Sequence, residues 1–226
     1  MNDILYQIST WLLPLTMAIV FHEVAHGYAA RLFGDNTAAR MGRLTLNPVR
    51  HVDPVGTLAL PMMLAVAGAP IFGWAKAVPV NPARMRNPRW HMVLVALAGP
   101  GTNLLLSIVA LFGMAAVIAT LGDADTPARA FLWDNLSNFI VINIMLAIFN
   151  MLPFPPFDGS HVVEGLLPRP IAARYAAIRP FGMALMILLF VGIPLLFPEA
   201  NVIARLIGPP VQATLEFANQ LLSALV

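Results

Sequence analysis

Residues 4–33 read ILYQISTWLLPLTMAIVFHEVAHGYAARLF, an apolar run long enough to cross a bilayer as one helix. Near its end, three ionisable side chains follow one another closely, His22, Glu23 and His26. His22 and His26 occupy positions i and i+4, so in a helix both imidazoles project from one face. Ionisable groups within a membrane span cost about 2.5 to 3.5 kcal/mol for a central Asp, Lys or Arg, so the setting favours a functional site over a chance pattern.

The pattern His-Glu-x-x-His at residues 22–26 is typical of zinc-dependent hydrolases. Two histidines on one helix face can bind a single zinc ion, which lowers the pKa of a bound water and polarises a scissile carbonyl. Glu23 lies beside them as the group that takes the proton of the water. A catalytic zinc ion has three protein ligands and one open position, so the sequence predicts a third ligand elsewhere in the chain.

The composition is that of a polytopic membrane protein. The 226 residues are 59% hydrophobic and 11% charged, with a mean hydropathy of +0.77, whereas soluble domains carry about 25% charged residues. The net charge of +2 comes with no basic stripe or stacking platform, so no nucleic-acid partner is expected. The chain has no cysteine, which excludes disulfides and thiolate ligands and leaves histidine and carboxylate as metal ligands.

The apolar segments predict an all-α polytopic membrane protein that forms a single membrane-embedded domain over residues 1–226. About five hydrophobic segments are expected, with core helices at about 4–33, 91–121 and 131–152, an ambiguous segment at 55–72 and a peripheral helix at about 181–197. The tail at about 201–224 has apolar residues at helical spacing, which predicts an interfacial or packing helix. Prolines and a glycine interrupt residues 55–72, and a complete crossing would place two strongly basic loops on opposite faces of the membrane. We therefore expect this segment to be re-entrant or to form a short embedded hairpin that returns to the cytoplasmic side.

Arginines cluster on the loops that follow the first span and flank the ambiguous segment. They include Arg31, Arg40, Arg43, Arg50, Arg84, Arg86 and Arg89. By the positive-inside tendency this side is cytoplasmic, which places the zinc motif near the cytoplasmic end of its helix.

Six side chains are candidates for the third ligand: His51, Asp53, His91, Asp158, His161 and Glu164. We favour Asp158, because it follows an apolar span behind a proline-rich break, and Gly159 permits the turn that would direct the carboxylate inward. In the alternative interpretation Asp158 caps a helix. His161 is its main competitor and is equally compatible with a loop position. His91 is expected at the interface, and His51 and Asp53 are assigned no role.

Several motifs together resemble those of bacterial site-2 proteases, the intramembrane zinc metalloproteases, over most of residues 21–163. They are His22 to Gly27, the run from Gly73-Trp74-Ala75-Lys76 to Asn81-Pro82, Ala98-Gly99-Pro100 with Asn103, and Asn150-Met151-Leu152-Pro153 through Asp158-Gly159. The resemblance implies one Zn²⁺ per chain bound by His22, His26 and Asp158, with Glu23 as catalytic acid/base, in a core of three helices. It is closest to the compact branch that lacks PDZ and CBS domains.

A peptide bond in a transmembrane helix is shielded by its own hydrogen bonds, so a substrate must unwind before it is cut. The alternating run at residues 73–80 predicts a short membrane-associated β element between the first and third segments, and its edge could bind the unwound segment by strand addition. The candidate residues are Gly73, Trp74, Ala75, Lys76, Ala77 and Val78; a simple structural connection is the alternative. Asn103 is a candidate donor to the substrate carbonyl or the oxyanion, although a helix–helix hydrogen bond is equally compatible. Asn143 and Asn150 are weaker candidates of the same kind.

The sequence therefore predicts an intramembrane zinc metalloprotease of a bacterial inner membrane, with its active site near the cytoplasmic face. The expected partners are a transmembrane-protein substrate and the lipid bilayer. One alternative is a catalytically inactive client-binding protein, but such a protein has no need of a general base at position 23. A metal-ion carrier is the other alternative, and it predicts ligands distributed along a path across the membrane.

Overall fold

Three long helices form the centre of the fold. The structure, a computed structural model, describes residues 2–66, 73–122, 124–197 and 202–225. The long helices are α1 (Asn2–Leu32), α4 (Pro88–Leu121) and α5 (Pro127–Asn150), and each of them packs against the other two.

Seven further α-helices of the described chain surround this centre. They are α2 (Thr37–Arg40), α3 (Leu60–Val66), α6 (Asp158–Leu166), α7 (Arg169–Ala176), α8 (Gly182–Ile187), α9 (Ile193–Leu196) and α10 (Val202–Leu225). Two stretches are π-helical, Pro54–Ala59 before α3 and Leu188–Gly192 between α8 and α9.

Proline, threonine and glycine set the ends of α4 and α5. Both helices begin with a proline in their first turn, where its missing N–H costs nothing. The side chain of Thr126 caps α5 by accepting a hydrogen bond from the N–H of Arg129. α4 ends at Leu121, and the next residue, Gly122, has a φ of +52°, which favours a residue without a side chain.

Four helical stretches of the described chain are long and apolar enough to cross a membrane: Ile4–Leu32, Pro88–Leu121, Pro127–Asn150 and Arg169–Gly192. They confirm the prediction of an all-α polytopic membrane protein in outline, but not the number of about five hydrophobic segments. In the ambiguous segment the described part is a short apolar helix, Pro54–Leu64, and residues 67–72 lie outside the described residues. That the chain forms one domain stays a prediction.

The predicted β element is not confirmed, since the described residues contain no β-strand. Residues 73–80 have no regular secondary structure, because their hydrogen-bond partners come from several different elements instead of one neighbouring strand. The N–H of Trp74 donates to the carbonyl of Gly56 at 3.1 Å, and the N–H of Lys76 donates to that of His51 at 2.9 Å. A β-ladder requires repeated pairing with one partner strand, and these contacts do not provide it.

The two ends of the bundle are joined by different contacts. At one end Phe33 stacks on His91 with ring centroids 4.3 Å apart, and Arg89 Nε donates to the carbonyl of Gly165 at 2.8 Å. These contacts place the end of α1, the start of α4 and helix α6 together. At the opposite end the Tyr6 hydroxyl donates to Asp134 Oδ2 at 2.8 Å, which ties α1 to α5.

The tail helix α10 packs along the bundle. Its Ala218 belongs to a buried apolar cluster with Ala110, Leu111, Met114, Ile140 and Ile144 of α4 and α5. Large apolar side chains elsewhere on α1 and α4 are exposed, among them Leu5, Leu12, Leu105 and Phe112. Such an exposed apolar surface fits contact with lipid chains.

Candidate metal centre

Three side chains from two helices converge at the end of the bundle where α1 finishes. His22 and His26 of α1 place their Nε2 atoms 3.0 Å apart, and each Nε2 lies 3.2 Å from Asp158 Oδ2 of α6. Both histidines are buried, with 6% and 8% of their surface exposed. Among the described residues, this is the group of histidine and carboxylate side chains placed to hold a metal ion.

The break between α5 and α6 brings Asp158 to the histidines. α5 ends at Asn150, and prolines at positions 153, 155 and 156 prevent its continuation until α6 begins at Asp158. A Cβ on Gly159 would lie 2.3 Å from the carbonyl oxygen of Met151. The turn therefore folds back so tightly that only glycine fits, and no hydrogen bond joins the Asp158 carboxylate to the backbone of α6 in the described structure.

Gly99 lets α4 approach the two imidazoles closely. A Cβ at this position would lie 2.4 Å from His26 Nε2 and 2.6 Å from His22 Cε1. Any side chain here would therefore occupy the space of the metal centre.

The ring of His26 is oriented by the backbone of α4. Its Nδ1 lies 2.7 Å from the carbonyl oxygen of Val95. A carbonyl only accepts, so Nδ1 carries the hydrogen and Nε2 presents its lone pair to the centre. His22 Nδ1 lies 2.6 Å from Asn103 Oδ1 in the interior of the bundle.

The donor set fits a zinc ion. Asp158 Oδ2 is buried and has no hydrogen-bond partner that satisfies it, and a buried acceptor without a partner is costly. Burial raises the pKa of Asp158, but the two imidazoles beside the carboxylate outweigh burial, so the pKa lies below its usual value. Two imidazole nitrogens and one carboxylate are ligands that zinc takes in catalytic sites.

Glu23 lies beside the centre without belonging to the three-residue group. It is half-buried, and its Oε2 accepts a hydrogen bond from the N–H of Val78 at 2.8 Å. The predicted general base is therefore held at the boundary between the metal centre and residues 73–80.

Residues 73–80 are anchored from several sides. Arg43 donates to the carbonyl of Lys76 at 2.7 Å, and the N–H of Asn81 donates to Asp35 Oδ2 at 2.6 Å. Burial raises the pKa of Asp35, but the hydrogen bonds from Asn81 and Thr37 outweigh it and lower the pKa overall. The carboxylate of Asp35 thus stays charged and fixes the end of this segment.

The first half of the segment packs against the π-helical stretch Pro54–Ala59. A Cβ on Gly73 would lie 2.2 Å from the carbonyl oxygen of Gly56, and one on Gly56 would lie 2.3 Å from the Trp74 ring. Thr57 donates from Oγ1 to the carbonyl of Trp74 at 2.9 Å. The N–H groups of Ala75 and Ala77 have no hydrogen-bond partner in the described part of the chain.

The structure does not bring the other ligand candidates into the centre. His51 Nε2 contacts the carbonyl of Thr45, and Asp53 caps the helical stretch that starts at Pro54. His91 Nδ1 accepts from the N–H of Asn87.

The two candidates on α6 point to Arg179. Glu164 forms an ion pair with Arg179, whose guanidinium also lies 3.3 Å from His161 Nδ1. Burial and the charge of Arg179 lower the pKa of His161. The group that could hold the ion does not include His161.

The sequence did not predict that Val95 and Gly99 support the metal ligands. Val95 acts through its backbone carbonyl, which leaves no side-chain signal. Gly99 stands in the Ala98-Gly99-Pro100 motif, and a glycine within an apolar helix is itself a sign of close packing.

Comparisons with known proteins match most of the chain. Residues 10–131 and 115–190 match the model of Peptidase family M50. "Putative zinc metalloprotease YwhC" of Bacillus subtilis is 38% identical over 192 residues, which cover 84% of this chain and 84% of the relative. "Putative zinc metalloprotease Rip2" of Mycobacterium tuberculosis is 33% identical over 184 residues, 81% of this chain and 65% of the relative, so the chain spans slightly less than two thirds of that protein. No solved structure gives a significant match.

Proposed function

The chain belongs to peptidase family M50 and is a membrane zinc metalloprotease, and we propose that it hydrolyses peptide bonds in or near transmembrane segments of membrane-protein substrates. The observation that carries this proposal is the convergence of His22, His26 and Asp158 beside Glu23, in a bundle of membrane-crossing helices.

His22, His26 and Asp158 would hold one zinc ion per chain. Bound there, zinc supplies Lewis acidity that activates a water and polarises the scissile carbonyl. Asp158 offers an ionised carboxylate, and Val95 holds His26 in the tautomer that can bind the metal.

Glu23 is proposed as the general acid and base. Its carboxylate is half-buried and adjoins the ligands in sequence, so it can accept the proton of the attacking water and pass it to the leaving nitrogen. The N–H of Val78 holds one carboxylate oxygen, which leaves the other available for the proton.

Residues 73–78 are proposed to hold the unwound substrate. Inward-facing N–H groups at Trp74, Lys76 and Val78 are bonded to the protein, whereas those of Ala75 and Ala77 between them are not. This alternation is that of an extended chain with one side open, and a substrate backbone can pair with the open side. The hydrogen bond from Val78 to Glu23 would place that substrate beside the general base.

Asn103 fits a role other than substrate contact. Its side chain has no exposed surface, and both its oxygen and its nitrogen already have partners inside the bundle. The geometry therefore favours the helix–helix hydrogen bond over donation to a substrate carbonyl.

We also propose that the protein resides in a bacterial inner membrane with the metal centre near the cytoplasmic face. The basic stretches 31–50 and 84–89 flank the end of the bundle that carries the centre, as the positive-inside tendency requires. The lipid bilayer and a transmembrane substrate are the proposed partners, and no nucleic acid is expected because no basic stripe is present.

The alternatives have less support. A client-binding protein without activity does not explain a carboxylate held beside a complete ligand set. A metal-ion carrier needs ligands along a path, whereas the group in the described residues lies at one place in the bundle.

A cleavage assay with matched variants tests the proposal. Purified wild type, Glu23→Gln and Glu216→Gln are incubated with a panel of single-span membrane proteins, and products and zinc content are measured by mass spectrometry. Glu216 is an exposed carboxylate on α10, so its variant controls for the loss of a carboxylate charge. We expect wild type and Glu216→Gln to cut within the span, and Glu23→Gln to retain zinc but lose activity by about 10² to 10⁴-fold.

Two results would contradict the proposal. Cleavage by Glu23→Gln at the wild-type rate would show that Glu23 is not the general base. Absence of stoichiometric zinc from carefully prepared wild-type protein would show that His22, His26 and Asp158 do not form a zinc site.

A further inference from the structure

A chain of buried polar side chains leads from the metal centre into the bundle. His22 Nδ1 lies 2.6 Å from Asn103 Oδ1, and Asn103 Nδ2 lies 2.7 Å from Asn143 Oδ1. Both asparagines have 0% of their surface exposed. The three residues belong to α1, α4 and α5, so the chain joins all three core helices.

Backbone carbonyls fix the direction of the hydrogen bonds in this chain. The side-chain atom of Asn143 next to the carbonyl of Phe139, at 2.8 Å, must be the amide nitrogen, because a carbonyl only accepts. Asn143 therefore turns its oxygen to Asn103. Asn103 must present its own nitrogen to that oxygen and to the carbonyl of Ala18 at 3.2 Å, which leaves its Oδ1 facing His22.

This direction determines which nitrogen of His22 carries the hydrogen. Asn103 Oδ1 accepts only, so Nδ1 of His22 must be the donor, and Nε2 keeps its lone pair toward His26 and Asp158. His26 also carries its hydrogen on Nδ1, and in its case a single contact with the carbonyl of Val95 fixes this tautomer. No backbone carbonyl contacts Nδ1 of His22 in the described structure, and the two asparagines take its place.

We propose that Asn143, acting through Asn103, is a positioning residue that fixes the hydrogen of His22 on Nδ1 and so keeps Nε2 free to bind zinc. This inference rests on the ligand set proposed above. Groups that orient a ligand in this way contribute about 10 to 100-fold to metal affinity.

A general role in helix packing is the competing explanation, and the chain contains a control for it. Asn138 lies on the same helix as Asn143 and donates from Nδ2 to the carbonyl of Thr10 on α1 at 2.8 Å. Its half-buried side chain makes a helix–helix hydrogen bond to a backbone carbonyl and has no link to His22. Asn138→Leu therefore measures the effect of losing such a bond alone.

The first experiment needs no variant. Nitrogen-15 NMR of histidine-labelled, zinc-free wild type reports which ring nitrogen of His22 carries the hydrogen, after assignment with His22→Gln. We expect the hydrogen on Nδ1. A neutral His22 with its hydrogen on Nε2 would overturn the inference whatever the variants show.

The second experiment compares zinc affinity by competition with a chelator for wild type, Asn103→Leu, Asn143→Leu and Asn138→Leu. We expect both Asn103→Leu and Asn143→Leu to bind zinc about 10 to 100-fold more weakly, with a changed histidine tautomer in NMR, and Asn138→Leu to match wild type. Equal affinities for Asn143→Leu and Asn138→Leu would overturn this inference alone. A wild type that binds no zinc would overturn the proposed ligand set and this inference together.

Discussion

At the scale of single residues, the metal centre depends on two glycines as well as on the three side chains that can bind the ion. Gly99 and Gly159 both lie where a Cβ would collide with a neighbouring atom. Gly99 faces the imidazoles, and Gly159 faces the backbone at the end of α5. Packing of this density leaves no room for a methyl group without displacing a ligand or the turn that carries one.

Gly99→Ala is expected to weaken zinc binding. The new methyl group would lie 2.4 Å from His26 Nε2 and would displace the ring, at a cost of about 1 to 3 kcal/mol for overpacking. Zinc content and thermal stability measure the effect.

Gly101→Ala is the matched control, because nothing lies within 4 Å of the Cβ it would add. Both changes raise helix propensity on the same helix, so the difference between them isolates the clash. Equal zinc binding by the two variants would show that α4 can shift to accommodate the added methyl group and that Gly99 is not required.

At the scale of elements, the segment 73–80 connects the membrane-embedded helices to the general base. It makes no β-ladder, yet Gly56, His51, Arg43, Glu23 and Asp35 hold it in place. A segment fixed on one side and open on the other can bind an unwound peptide without first paying the entropy of its own ordering.

Ala77→Pro is expected to reduce cleavage while zinc content stays unchanged. The substitution removes an N–H that has no partner in the described structure, so it breaks no hydrogen bond of the protein while it removes a donor proposed to pair with substrate. The rate of cleavage of a single-span substrate is the measurement.

Ala77→Val serves as the control because it adds bulk but keeps the N–H. Unchanged cleavage by a folded Ala77→Pro protein would count against the open edge. Loss of cleavage in both variants would assign the effect to the side chain.

At the scale of the whole molecule, basic residues are distributed unevenly. Several arginines lie in the stretches 31–50 and 84–89, at the end of the bundle that carries the metal centre. At the opposite end, Arg129 is the basic residue next to the turn between α4 and α5. The contacts that tie α1 to α4 and α6 show that these basic loops lie at one end of the bundle. This distribution of charge supports the proposed orientation, in which the metal centre lies near the cytoplasmic face.

A topology reporter fused after Arg84 is expected to read as cytoplasmic. Residues 84–89 lie at the end of the bundle that carries the metal centre, because the N–H of Arg86 donates to the carbonyl of Phe33 just after α1. A reporter fused after Gly122, at the far end of α4, is the control and is expected to read as extracytoplasmic. The reverse pattern would place the metal centre on the other face.

Composition and the length of the apolar runs alone determined the membrane class and the long apolar helices, and helix geometry alone brings positions 22 and 26 to one face. That three of these helices form the core was implied by the resemblance to a family. The choice of Asp158 over His161 needed only the proline break and the resemblance to a family. The β element was not confirmed, because the partners of residues 73–80 lie on elements far away in sequence, and no local pattern encodes them.

Only the tertiary structure decided how the centre is supported. The hydrogen bonds from His26 to Val95, from His22 to Asn103 and from Asn103 to Asn143 join residues that lie 69, 81 and 40 positions apart along the chain. The sequence around an asparagine in an apolar helix does not show whether its side chain contacts a substrate, a lipid or another helix. Its partner depends on which helix faces it, and that is fixed by packing.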